Sequence, residues 1–404
     1  MNKKYTNSVI DPEKLRDLNS VRKLTFFQRV FRMPKSGSER VLIISWIRMT
    51  IGTGVFMIPS FFKIFGIVPM FFLLIVVSIL TLASLSTIFE QAIETNSKSF
   101  SEVVNKVFPG SISKIFSITL SLDYISVFLA TFVITWNIIK NIAFEVGLLN
   151  YWIIKENKLE VLDEDRISFF ILRLTVMLII YLLISKLLIK ESIESLKNLS
   201  FLTIGTSMTV IVYIMIENIF YRKSFLADHS LSTTYFQTPN ISWVTYFFNV
   251  LTSFYIQPYS MGLRKELFYP TLRRLKKTSL LSVLLILILY TIFGFFTYYC
   301  HGNNGLSSLI IFRKKYTNKN VLSEIVFYIL VFSYSILNLL SLSTFNVIVR
   351  TYLKSLFIVK NDKRAHLLFS LIPALFAVLM AALIPDLLKI IGYFGLTIYN
   401  FNGF

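Results

Sequence analysis

Apolar positions along this chain fall in long, nearly unbroken runs. They lie near residues 41–62, 66–89, 113–139, 167–187, 199–219, 241–262, 279–300, 320–348, 365–384 and 387–402. Their lengths centre on about 20 residues, the length of helix that crosses a ~30 Å hydrocarbon layer. The runs are apolar on all sides, as helices bathed in lipid must be, whereas a helix of a soluble domain carries one apolar stripe. The pattern predicts an all-α, polytopic transmembrane bundle of about ten helices over residues 41–404. Residues 1–40 are polar and basic and read as a mostly disordered tail. Within it, Asp11 and Pro12 suit the cap and first turn of a short helix. The tail has no 7–15-residue apolar core followed by small residues, so the first span is expected to act as an uncleaved signal.

Composition supports this pattern. Of 404 residues 55% are hydrophobic, 39 are Phe and only 16% are charged, where a soluble surface needs about a quarter. A single cysteine, Cys300, excludes a disulfide scaffold, and 14 Gly with 10 Pro exclude a collagen-like chain. The net charge of +19 would suggest nucleic acid in a soluble protein, but its placement argues otherwise. With the N-terminus in the cytoplasm, the tail and the connections on that side hold about 26 Lys and Arg, and the opposite side about 10. The longest opposite segment, 143–166, is rich in Glu and Asp. The basic excess is therefore a topology signal with some attraction to anionic lipid, and no nucleic-acid partner is implied. Asn240-Ile241-Ser242 is a formal glycosylation acceptor on the side away from the cytoplasm, almost at the membrane surface.

Nothing in the chain has the spacing of an enzyme. His229, His301 and His366 fall in or beside connections, far apart, and no His-Glu-x-x-His or Cys/His metal pattern occurs. A repeated pore loop, as a channel would need, is also absent from the sequence. Two interruptions stand out instead. The first span contains Ile51-Gly52-Thr53-Gly54 followed by Pro59. The sixth contains Tyr255-Ile256-Gln257-Pro258-Tyr259-Ser260-Met261-Gly262. They lie about 205 residues apart and each opens a five-span half. Glycine and proline at membrane depth release backbone groups that hydrocarbon cannot satisfy, so such breaks line a cavity or bind a ligand. Close helix packing by small residues is the alternative for each break alone; the matched pair favours a site.

Ile51-Gly52-Thr53-Gly54-Val55-Phe56-Met57-Ile58-Pro59 resembles the first-helix signature of the amino acid/auxin permease family, also called the transmembrane amino acid transporter family. Gln257-Pro258 through Arg264-Lys265-Glu266-Leu267, Pro270-Thr271 and the basic run Arg273 to Lys277 is similar to that family's sixth helix and its exit. Thr297-Tyr298-Tyr299-Cys300-His301-Gly302, Val349-Arg350-Thr351-Tyr352-Leu353 and Ile384-Pro385-Asp386-Leu387 match later motifs in order. The family's His before the sixth-helix proline is Gln257 here, its eighth-helix Pro is Ile348, and its Tyr at the sixth-helix exit is Arg264. The family's eleventh helix has no counterpart before Phe404. The chain thus reads as a divergent member of this family within the amino acid-polyamine-organocation superfamily.

The resemblance implies a LeuT-type arrangement: two inverted five-helix repeats with broken first and sixth helices. It implies transport of amino acids by alternating access, coupled to protons or sodium, with no other cofactor. A sensor that keeps this fold and signals with little net flux is the alternative. The amides of Gly52, Thr53 and Gly54 suit an amino acid carboxylate, and carbonyls near Ile51, Thr252, Ser253 and Phe254 suit its ammonium. The hydroxyls of Thr53 and Ser253 either join the ligand or bond back to their own helices. Tyr255 and Gln257 are expected to shape the side-chain pocket. Asp123, an intramembrane carboxylate, is a candidate for proton coupling or a structural ion-pair partner of Lys114 or Arg48. Ser341 is the candidate for sodium, with Ser343 as a further oxygen. Arg48 reads as snorkelling to the cytoplasmic interface, and Glu217 as interfacial at the end of the fifth span. The expected setting is an integral multi-pass protein of the plasma or vacuolar membrane.

Overall fold

The computed structural model describes residues 38–383 except 52–53, 98, 109, 146–162, 190–196, 229–232, 239–241, 255, 265–266, 268, 306–320 and 358–361. The tail and the expected tenth span, 387–402, lie outside the described residues. In chain order the described part forms α1 (Glu39–Ile51), a 3₁₀ helix (Gly54–Met57), α2 (Ile58–Phe65), α3 (Ile67–Glu94), α4 (Phe100–Val107), α5 (Ser111–Glu145) and α6 (Asp163–Leu188). There follow α7 (Lys197–Asp228), α8 (Ser242–Ser253), α9 (Gln257–Arg264), α10 (Leu272–Gly305), α11 (Val321–Leu356) and α12 (Asp362–Leu383). No strand occurs among the described residues. The fold is an all-α polytopic bundle: α3, α5, α6, α7, α10, α11 and α12 are each long and apolar enough to cross a membrane. An eighth candidate joins α1 to the segment 54–65 across a 46° bend. Phe72, Leu183 and Phe220 are 67%, 74% and 76% exposed, an arrangement that is stable in lipid and not in water.

Packing divides the helices into two sets. In the first, α10 lies against α1, α2 and α3, while α8 and α9 pack onto the same helices. In the second, α5 packs on α11 and α12, and α6 completes the set against both of these. Lipid offers no hydrophobic drive between helices, so close packing and interhelical hydrogen bonds hold each set, at about 1 kcal/mol per bond. In the second set Ser335 Oγ donates to Thr135 Oγ1 (3.0 Å) and Tyr181 donates to the Leu371 carbonyl (3.3 Å). There too, Asn346 Nδ2 reaches the carbonyls of Leu188 and Ser370 (2.8 and 2.9 Å). In the first set Gln257 Nε2 donates to Ser84 Oγ on α3 (2.9 Å), and Arg274 pairs with Glu39 (2.8 Å) where α10 and α1 begin.

Helix α7 belongs to neither set and bonds to both. Thr203 donates to the Leu337 carbonyl and Tyr213 to the Ser323 carbonyl, both on α11. Asn218 faces α10, with Oδ1 2.9 Å from His301 Nε2 and Nδ2 3.5 Å from Thr297 Oγ1. Glu217, read from sequence as interfacial, is 3% exposed, and α7 continues to Asp228. His301, read as part of a connection, is likewise buried within α10.

Two glycines set the spacing of the first set. Gly66, between α2 and α3, has φ +86°, and a Cβ there would lie 2.8 Å from the Tyr235 carbonyl oxygen. The segment 233–238 lies against this turn: Ile67 N–H donates to Thr234 O and Val68 N–H to Tyr235 O. It thereby satisfies amides that the start of α3 would leave orphaned. At Gly294 on α10, a Cβ would stand 2.5 Å from Ile58 Cγ2 and 2.7 Å from Phe62 Cε2. Only glycine permits α10 to approach α2 this closely.

Candidate functional site at two helix breaks

The two interruptions read from sequence both occur, and they meet. Helix α1 stops at Ile51, and helical structure resumes at Gly54 as a 3₁₀ turn that leads into α2, with Pro59 in its first turn. Proline suits this place because a first-turn residue needs no N–H bond. Helix α8 stops at Ser253 and α9 begins at Gln257, with Pro258 in its first turn. A Cβ placed on Gly54 would lie 3.3 Å from Ser253 Oγ. The absent side chain therefore lets one break sit against the other. Gly52, Thr53 and Tyr255 lie outside the described residues.

A residue the sequence reading did not single out joins the breaks. Tyr290 of α10 places its hydroxyl 2.8 Å from the Thr50 carbonyl and 3.0 Å from the Ser253 carbonyl. These are carbonyls of the kind that interrupted helices release. The ring is fully buried and meets Phe254 edge-on, with centroids 5.1 Å apart. A phenol carries one proton, so it donates fully to one carbonyl at a time and the other keeps acceptor capacity. From sequence Tyr290 is one aromatic in an apolar span; only its place opposite both breaks distinguishes it.

The hydroxyls near the breaks turn back on their own helices. Thr50 donates to Trp46 O, while Thr252 and Ser253 both donate to Asn249 O at 2.9 Å. Ser60 and Ser260 do the same after each break, to Met57 O and Gln257 O. Gln257 Oε1 accepts from the Ile256 amide at 2.9 Å, while its Nε2 bonds Ser84. The side chain therefore caps the start of α9 and anchors it to α3.

Across from the breaks stands the second set. Arg48 is 6% exposed and its Nη2 lies 3.4 Å from the Ser341 carbonyl on α11. It is buried where the first set meets the second. Ser341 is buried, and its hydroxyl donates to Asn338 O at 2.6 Å. Aromatic rings fill much of the seam: Phe56 meets Tyr334 at 5.0 Å, and Tyr259 meets both Tyr124 at 5.0 Å and Phe345 at 5.1 Å, all edge-on. Such pairs hold a defined contact without charge. Asp123 lies within α5; its side chain is outside the described part. Ser343 donates to Leu340 O within its own helix. Among the described residues, no three His, Cys, Asp or Glu side chains gather as metal ligands would.

Long apolar helices, with two interrupted stretches that meet at Gly54 and Ser253, define a class: polytopic membrane proteins with discontinuous helices. Residues 35–401 match the family model described as transmembrane amino acid transporter protein. The chain belongs to that family, and it is an integral multi-pass membrane protein of the amino acid transporter class. Among curated proteins, no relative matches it significantly.

Proposed function

We propose that the protein is a secondary active transporter that carries amino acids by alternating access, coupled to protons. The observation that carries this reading is the meeting of the two breaks at Gly54 and Ser253 under the Tyr290 hydroxyl. Freed amides after the first break suit the substrate's carboxylate, and freed carbonyls before both breaks suit its ammonium. The residues proposed for this centre are Ile51, Gly52, Thr53, Gly54, Thr252 and Ser253, with Tyr255 proposed for the side-chain pocket; Gln257 holds the start of α9.

The helix sets provide the moving parts. The first and second spans pack with the sixth and seventh; the third and fourth pack with the eighth and ninth. This grouping is what two inverted five-helix repeats of the LeuT type would produce. Rocking of the first set against the second, along the aromatic seam, would expose the site to each side in turn. A proton on Asp123 is the proposed coupling charge; Ser341 is the place to look if sodium drives transport instead. The basic tail and even-numbered connections support an N-terminus in the cytoplasm, and the plasma or the vacuolar membrane is the proposed setting.

The test is uptake of labelled amino acids into proteoliposomes under an imposed proton gradient, a sodium gradient or neither. Accumulation driven by the proton gradient is expected. Saturable binding without flux in all three conditions would identify a sensor, and absence of both would overturn the reading.

A further inference from the structure

Asn249 lies in α8, one turn ahead of the break at Ser253, and is 2% exposed. Its carboxamide offers two donors and one acceptor oxygen. Neither Oδ1 nor Nδ2 has a hydrogen-bond partner among the described residues. The neighbouring hydroxyls of Thr252 and Ser253 go to the Asn249 backbone carbonyl and leave its side chain unserved. A buried amide with no partner is costly in a core, and costlier where the surroundings are hydrocarbon. A purely structural asparagine at such a position is normally bonded; Asn346 leaves only Oδ1 unpartnered while its Nδ2 serves two carbonyls, whereas Asn249 leaves both atoms unpartnered among the described residues.

Helical spacing fixes where this amide sits. Ser253, four residues on, contacts the Gly54 position, and Tyr246, three residues back, lies tilted against Phe61 with centroids 6.2 Å apart. Positions 246, 249 and 253 share one face, so Asn249 is bracketed by two contacts with the segment that follows the first break. An alkali cation here would engage Oδ1 and leave Nδ2 unserved. A zwitterion serves both, since carboxylate accepts from Nδ2 and ammonium donates to Oδ1.

We infer that Asn249 is a substrate-recognising residue whose side-chain amide contacts the charged α-groups of the transported amino acid. This rests on the reading of the breaks as the substrate site and adds to it a side-chain contact that the backbone alone does not supply. The carboxamide holds the zwitterion by its common part and sets acceptance of α-amino acids over amines and esters.

The experiment uses the purified full-length protein. The twenty proteinogenic L-amino acids are screened singly by thermal shift, and the one that stabilises wild type most is titrated, with its methyl ester, against wild type and Asn249→Leu. Loss of hydrogen bonds to charged groups predicts binding weaker by on the order of ten- to a hundredfold. The preference for acid over ester should narrow, and the melting temperature without amino acid should be held or raised. If Asn249→Leu binds the acid within twofold of wild type, the inference falls, as it does if only melting temperature changes. Should Asn249→Leu fail to fold, Asn249→Asp, of the same shape, carries the test: its carboxylate repels that of the substrate and must weaken the acid far more than the ester. If wild type binds none of the twenty, the reading of the site falls and this inference with it.

Discussion

Single residues at the breaks have distinct jobs, and each makes a separate prediction. Gly54 gives room: its missing side chain lets Ser253 approach. Gly54→Val should therefore abolish uptake while leaving normal amounts of folded protein in the membrane; wild-type uptake by this variant would refute the site assignment. Tyr290 is instead a donor to backbone. Tyr290→Phe keeps the ring against Phe254 but leaves the Thr50 and Ser253 carbonyls without their phenol donor. Thermal unfolding should show a loss of about 1–3 kcal/mol, and substrate affinity should fall with it. The glycines and prolines of both breaks were legible in the sequence because they recur as a matched pair, one in each five-span half, where a single glycine such as Gly294 serves packing alone. Tyr290 was not, since one tyrosine in an apolar span looks like any other until its neighbours are known. The same holds for Arg48, whose burial beside the Ser341 carbonyl is set by helix packing.

At the scale of elements, the interrupted helices depend on the intact ones beside them. Helix α10 supports the first span through the close approach at Gly294. Gly294→Val drives methyl groups into Ile58 and Phe62 and is expected to cost about 1–3 kcal/mol by overpacking, read as a lowered melting temperature in detergent. The turn at Gly66 makes a similar demand by another route. There the positive φ, with ψ +168°, and the contact with Tyr235 O both oppose a Cβ, so Gly66→Ala should destabilise by about 1–3 kcal/mol. A melting temperature equal to wild type in either variant would show that the helices can separate without loss. The long helices among the described residues coincide with apolar runs, because hydrocarbon leaves the backbone few other choices. Helix ends followed less well: α7 runs on to Asp228, past the apolar run that ends near 219, since a polar segment can continue a helix where the sequence supplies no breaker.

For the whole molecule, two expectations concern coupling and orientation. Asp123→Asn should remove the acceleration of uptake by an inward proton gradient, while exchange of labelled for unlabelled substrate at equal pH persists. An unchanged response to the gradient would move the coupling charge elsewhere. Tags in the tail and in the segment 143–166 should be protease-accessible from opposite faces of sealed cells, the tail from the cytoplasmic face. The sequence by itself determined that this chain lives in a membrane as a helical bundle, where its helices break, and which family it resembles. Those properties are written in run length, charge placement and the local chemistry of glycine and proline, all of which act over a few residues. Only the tertiary structure decided that the breaks meet at Gly54 and Ser253, that Tyr290 serves both, and that Asn249 keeps an unserved amide beside them. Contacts between residues separated by some 200 positions are set by how helices pack, and lipid-facing and partner-facing apolar residues look alike in a sequence.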